Sequence, residues 1–348
     1  MFKKSFITDC EGPLTLNDNA FELSANFIKK GDELFKTLSL YDDYLADIVK
    51  KENYKAGNTL KLILPFFIAE NLENKDLVEF SKNHIYAVND SKFLLKYLKN
   101  TMNTYIVSTS YGQYIEAVSD YMEVPFENTF YTNVNLDKLV LNSAEIEKIN
   151  EFKELILDNP TDYELFDDIF FSQIVEMGIY NEIKKIDVVG GEGKKLAIEE
   201  IIARDGIDVN KILYIGDSIT DVEPLDFAYK NNGISISFNG NEYPLKVAEI
   251  AIVSPSAVTT AVIADLYANN DKNKVLEFIN DYNNAENYEK LFTDYDVDLE
   301  VKDKFFSVFE SDNYPIIKII TKENFDEILK VSKEMRNNIR GQDIGGLG

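Results

Sequence analysis

The sequence predicts an α/β fold, a parallel sheet covered by helices and interrupted by one helical block. Three observations predict it. Short apolar runs suited to buried strands alternate with amphipathic helical stripes as far as about residue 265. Residues 20–85 break that alternation with several helical patterns and little β signal. Four segments rich in chemistry-bearing side chains each follow an expected strand or open an expected helix, which is where a doubly wound sheet places its ligands.

In order, 5–8 reads as a short buried strand, and Asp9 opens a turn. After the helical block, 90–98 reads as a helix with Phe93, Leu94, Tyr97 and Leu98 on one face. Residues 104–107 read as a strand, and 112–122 as a helix striped by Tyr114, Ile115, Val118, Tyr121 and Met122. The stretch 135–185 reads as an acidic, solvated helical insertion. Asn142 with Glu145 and Thr161 with Glu164 mark helix starts, and Pro160 separates the two helices. A glycine loop at 190–193 precedes a helix over 194–204. Residues 211–215, 234–237 and 250–253 read as strands, and Ser256 caps a helix that runs to Leu266. Beyond 270 come a helix at 272–280, a strand at 315–320 and an amphipathic helix at 322–336. The Gly-rich tail 341–348 reads as frayed. The expected organisation is a core of 1–19 and 86–270 that carries the 135–185 insertion, a helical cap at 20–85, and an α/β extension at 271–348.

Composition narrows the function. At ~150 residues per domain, 348 residues suggest two domains. The net charge of −25 argues against a nucleic-acid groove or attraction to an anionic membrane. One Cys and one His exclude a disulfide framework and multi-Cys or multi-His metal sites. The apolar run 60–69 is too short to span a bilayer, and Asp9 and Glu11 interrupt any leader that Lys3 and Lys4 might begin, so a cytoplasmic protein is expected. Arginine is scarce, at Arg204, Arg336 and Arg340 only. That scarcity leaves phosphate binding to Lys or a metal and disfavours substrates with several anionic groups.

The four segments are Thr8-Asp9-Cys10-Glu11-Gly12, Ser108, Lys194 and Gly216-Asp217-Ser218-Ile219-Thr220-Asp221. Carboxylates with open oxygens suit Mg²⁺. A carboxylate such as Asp9 can attack phosphorus, and a second acid two residues on can protonate the leaving oxygen and then activate water. A hydroxyl near Ser108, with Thr109 and Ser110 as alternatives, can hold phosphoryl oxygens, and Lys194 supplies positive charge. Cys10, between two acids, reads as a packed spectator, and His84 as structural or exposed. The run 62–68 reads as the core of the helical block. The glycines at 190–193 lack the P-loop spacing.

The ordered set Asp9-x-Glu11, Ser108, Lys194, Gly216-Asp217-x-x-x-Asp221 resembles the haloacid dehalogenase (HAD) superfamily over residues 1–265, and most resembles its phosphoserine-phosphatase-like branch. The resemblance implies a Rossmann-like three-layer core with a helical cap inserted after the first motif. It implies Asp9 as nucleophile and Mg²⁺ ligand, and Glu11 as acid/base with its backbone carbonyl on the metal. It further implies Ser108 or Thr109 as phosphoryl binder, Lys194 (or Lys195) as neutralising cation, Asp217 as a metal ligand, and Asp221 as a metal ligand or as orienting the metal's waters. The implied activity is Mg²⁺-dependent hydrolysis of a small phosphorylated metabolite, with no nucleic-acid partner and no membrane insertion. Glu11 departs from the family's usual Asp, and a misplacement of ~1 Å can cost ~10²-fold in rate. The alternative is therefore a HAD-fold binding or regulatory protein with weak or no turnover. A protein partner would then dock on the acidic insertion or the C-terminal extension. The opening 9–23 also resembles archaeal HAD-like proteins labelled energy-converting hydrogenase subunit R, which implies a methanogen hydrogenase complex as partner.

Overall fold

The computed structural model describes residues 4–309 and 313–347; Lys3 and Gly348, cited above for the leader and the tail, lie outside the described residues. Seven strands form one sheet: β1 (Ser5–Thr8), β2 (Asn103–Tyr111), β3 (Thr129–Thr132), β4 (Ile212–Gly216), β5 (Ile234–Phe238), β6 (Ile250–Val253) and β7 (Ile316–Ile319), in the order β3-β2-β1-β4-β5-β6-β7. Strands β1 to β6 pair in parallel, and β7 closes one edge antiparallel to β6. The fold is α/β, as the alternation predicts. β1, β4, β5 and β6 are buried on both faces, which is why they read as continuous apolar runs.

Side chains alternate between the two faces. Phe6, Ile106, Leu213, Ile215 and Ile236 point one way, onto the helices Ser91–Leu98, Gly112–Met122 and Val258–Asn269. Ile7, Tyr105, Val107, Ile212 and Tyr214 point the other way, onto Glu192–Asp205 and Val222–Lys230. At about 1.5–3 kcal/mol for each fully buried large apolar side chain, this three-layer packing dominates the favourable side of folding. The helix Val258–Asn269 is buried almost all round, Asp265 included. That carboxylate is matched by the Tyr97 hydroxyl, the Asn269 amide and the Asp298 backbone N–H.

Several elements differ from expectation. The stretch 135–185 is not a solvated pair. Ile149, Phe152, Ile156, Phe166 and Phe170 join Leu34, Leu38, Tyr41, Phe66 and Phe67 in one apolar cluster, so the two helical segments bury a shared core away from the sheet. The glutamates that colour this stretch sit on its outer face. Asn142 and Glu145 do form a reciprocal cap, whereas Asp162, not Thr161, caps the second helix. β3 is not among the expected strands; its four residues closely follow Pro125 and Asn128, both turn formers. The extension is no appendage. Val275, Phe278, Phe292, Val301 and Phe305 pack into the same core as the sheet, and β7 extends that sheet. As far as Leu347, the last described residue, the tail is not frayed. The last helix, Phe325–Gly345, turns at Gly341 (φ 78°) and places Ile344 and Leu347 against the helical cluster. Among the described residues no helix is long and apolar enough to cross a membrane.

Candidate active site

Asp9 follows β1 directly. Its N–H donates to the Ile215 carbonyl at 2.9 Å, which extends the pairing with β4 by one residue and brings Asp9 beside the loop that follows β4. Asp9 Oδ1 accepts from the Cys10 N–H (2.7 Å), and Oδ2 meets Lys194 Nζ at 2.6 Å. Lys194 sits in the first turn of Glu192–Asp205 and is fully buried. Its Nζ lies between Asp9 and Asp221, at 2.7 Å from Asp221 Oδ1. The Gly191 N–H donates to the Thr220 carbonyl at 3.0 Å, pinning that turn to the same loop. Asp221 is held from every side. Tyr214 Oη donates to Oδ1 (2.7 Å), and the N–H groups of Asp217 (3.0 Å) and Ser218 (3.1 Å) donate to Oδ2. Gly12, at φ 101°, passes so close to Asp217 that a Cβ there would overlap the carboxylate.

Burial pushes Asp9 up to about 8; Asp221 and Asp217 push the same way, and Lys194 opposes. Burial alone would lower Lys194, but Asp221 and Asp9 override it and hold the ammonium above its usual range. Burial would likewise raise Asp221, yet Lys194, Tyr214 and the Asp217 N–H hold that carboxyl below the usual range. Carboxylate oxygens of Asp9, Asp217 and Asp221 lie within 4.8 Å of one another. This all-oxygen donor set, with like charges crowding Asp9, fits a hard divalent cation such as Mg²⁺. Asp221 has protein donors on both oxygens, which suits it to orienting the cluster more than to direct ligation.

Glu11 leaves the cluster. Its Oε1 accepts the Asn19 N–H at 2.7 Å, at the start of the helix Asn19–Phe27, and Ser110 also bonds it. Burial, with Asp18 next, raises Glu11 well above the usual carboxyl range, against the Asn19 N–H. Ser108 does not reach the cavity. β2 runs on to Tyr111, with its register to β3 shifting between Val107 and Tyr111, and buried Ser108 Oγ accepts the Ser110 N–H at 3.2 Å. Thr109 and Ser110 line the cavity instead, and Thr109 Oγ1 is buried with no hydrogen-bond partner. Lys195 points away and pairs with Glu192 at 2.9 Å. Cys10 is buried, and burial, then Glu11 and Asp9, push its thiol well up, so it is no thiolate. His84 stacks on Phe80 with Nδ1 2.8 Å from the Phe80 carbonyl, a structural role.

The cavity of about 110 Å³ has Asp9, Glu11 and Asp217 on one side and Phe35, Leu60 and Asp42 of the helical cluster on the other. Arg336, Arg340, Ile344 and Leu347 of the last helix and tail complete it. The sequence reading missed both arginines. Both guanidinium groups contact Asp217 Oδ2. The available signal was two of three arginines four residues apart, one helical turn, in a chain that otherwise uses lysine. Two of the chain's three arginines thus stand at the site, which their scarcity gave no reason to expect.

Asp43, also on the cavity, is pushed up to about 8 by burial, then by Asp42, Asp47 and Glu242. Its unfolded value is ~3.9. The neutral carboxyl thus favours the fold below the unfolded value, and that stability is lost as pH rises through about 8. Asp43→Asn is expected to stabilise the protein by on the order of 1–2 kcal/mol near pH ~9 and by nothing measurable near pH ~4. Thermal melts at both pH values check this, and equal shifts at the two would refute it.

No protein-family model matches the chain, and no curated protein matches it. Among solved structures, gene product AF1437 from Archaeoglobus fulgidus is 28% identical, with 99% of each chain covered and a TM-score of 0.81. A phospho-aspartyl intermediate analogue of phosphoserine phosphatase is 14% identical over 72% of this chain and 93% of its own, with a TM-score of 0.42. A HAD family hydrolase from Salmonella enterica subsp. enterica serovar Typhi is 11% identical over 71% of this chain and 66% of its own, with a TM-score of 0.44. The structural neighbours thus include HAD-family hydrolases, the family that the motif order resembles. At these TM-scores neither of the last two likenesses bears on the chemistry.

Proposed function

We propose that this chain hydrolyses a small phosphomonoester through an aspartyl-phosphate on Asp9, as a HAD-type phosphatase. One observation carries the reading. A buried lysine is clamped between Asp9 and Asp221, with Asp217 in the same cluster, beside the ends of two adjacent parallel strands, and Asp9 and Asp217 line a cavity. Asp9, Asp217 and the backbone carbonyl of Glu11 would hold Mg²⁺, whose charge would balance the phosphoryl oxygens.

The chain's own residues do the rest. An Asp9 carboxylate oxygen attacks phosphorus, and the bond from phosphorus to the ester oxygen breaks. Glu11, whose burial favours its neutral form, gives its proton to the departing oxygen. The carboxylate left behind takes a proton from water, whose oxygen attacks phosphorus and frees Asp9 and inorganic phosphate. Lys194 offsets the negative charge beside Asp9 throughout, and Thr109 Oγ1, unpartnered, supplies a donor for a phosphoryl oxygen. Acid quench after mixing with a phosphomonoester panel and Mg²⁺, followed by peptide mass spectrometry, tests the reading. A phosphoryl adduct on the peptide containing Asp9 supports it; no adduct and no hydrolysis across the panel would sink it.

A second reading, a regulatory protein with slow turnover, is favoured by one observation: Glu11 is tied to the Asn19 N–H and to Ser110. Glu11→Asp separates the two. The shorter carboxyl loses reach to Asn19 and sits ~1 Å off the position the loop provides, so turnover is expected to fall by ~10²-fold. A gain in turnover would favour the regulatory reading. No geometric feature of the described residues supports a hydrogenase partner.

A further inference from the structure

Asp217 is the one carboxylate of the cluster that its own neighbourhood does not hold. Lys194 and local backbone N–H groups fix Asp9 and Asp221, and the N–H of Asp217 itself serves Asp221. The side-chain donors to the Asp217 carboxylate are Arg336 and Arg340, about 120 residues away in sequence, both on Oδ2. Both guanidinium groups are themselves held. Arg336 donates to the carbonyls of Asp217, Gly345 (2.9 Å) and Leu347 (3.1 Å). Arg340 donates to the carbonyls of Leu16 (3.1 Å) and Asn17. Their side chains are 3% and 5% exposed. Five of the seven hydrogen bonds these two side chains make go to backbone carbonyls, which suits them to bracing a neighbour and leaves few donors for a substrate anion.

We infer that Arg336 and Arg340 are positioning residues that act through Asp217, so that the last helix is a working part of the site. They fix one carboxylate oxygen and leave Oδ1 without a protein donor among the described residues, available to a cation. The inference rests on the reading of Asp217 as a metal ligand. Outer-shell partners of this kind govern metal affinity by ~10–100-fold.

The test uses the full chain with Arg336→Gln, Arg340→Gln and Arg336→Lys, and Mn²⁺ as probe, its affinity measured by electron paramagnetic resonance. The two Gln variants are expected to bind Mn²⁺ at least ~10-fold more weakly and to need correspondingly more Mg²⁺ for half-maximal activity. KM for p-nitrophenyl phosphate at saturating Mg²⁺ should change by less than about threefold. Arg336→Lys should recover part of the affinity. Arg340→Gln serves where Arg336→Gln fails to fold. Unchanged Mn²⁺ affinity with a lowered melting temperature would make the arginines merely structural, and tighter binding would make them competitors of the metal; either overturns the inference. Asp217→Asn separates the failures. If it keeps full Mn²⁺ affinity, the metal reading falls and the inference with it. If it loses affinity while the Gln variants keep theirs, only the inference falls.

Discussion

Asp9→Asn is expected to lower phosphomonoester hydrolysis by at least about 10⁴-fold while leaving the fold intact. The amide has nearly the same shape and cannot form the acyl phosphate. Burial already works against charge on Asp9, so removing the charge costs the fold little, and Lys194 keeps Asp221. The measurement is turnover of a phosphomonoester panel with and without Mg²⁺, beside thermal melts of both proteins. Mg²⁺-dependent hydrolysis that vanishes in the variant, at a melting temperature near the parent's, is the expected result. A variant that still turns over at the parent's rate would remove Asp9 as the nucleophile.

Lys194→Met carries the largest expected loss of stability. The ammonium is fully buried and serves two buried carboxylates at 2.6 and 2.7 Å. Methionine fills similar volume and leaves both acids facing each other without a cation. Breaking a buried pair in this way costs about 3–5 kcal/mol. Denaturant unfolding should show that loss, and combining Lys194→Met with Asp9→Asn should return part of it as a coupling of about 1 kcal/mol or more. A Lys194→Met protein as stable as its parent would mean that the ammonium does not hold the cluster together.

The parts of this site legible in the sequence were those set by strand ends. Asp9 and Asp217 follow adjacent strands, and Asp221 and Lys194 occupy first turns, so the topology alone converges them. Lys194 and Lys195 were separable only through helix phase, which sends one inward and the other to Glu192. The sequence puts Ser108 at a strand end because the last residues of β2 do not read as strand, and the irregular register there leaves Thr109 and Ser110, not Ser108, lining the cavity. The apolar stripe Ile149, Phe152, Ile156 was present in the sequence, but the surrounding glutamates masked it. Arg336 and Arg340 were out of reach for a different reason. Nothing local links the last helix to the loop after β4, and only the folded chain brings them together.

The shared core of the two helical segments has a consequence for assembly. The segments that build it are separated in sequence by β2 and β3, which belong to the sheet. Each unit is therefore an interruption of the other, and neither can be cut out as a continuous piece. Ser5 pairs with Asn103 on one side and Ile212 on the other, so the central strand waits for partners about one hundred and two hundred residues downstream. Closing a loop twice as long costs only about 0.6 kcal/mol more, so the finished fold loses little by this layout. The rate of reaching it falls much more steeply with such distant pairings. A nascent or refolding chain thus passes through a long interval in which apolar β1 is without its neighbours, and it is in that interval, rather than in the native state, that this protein is most exposed to aggregation.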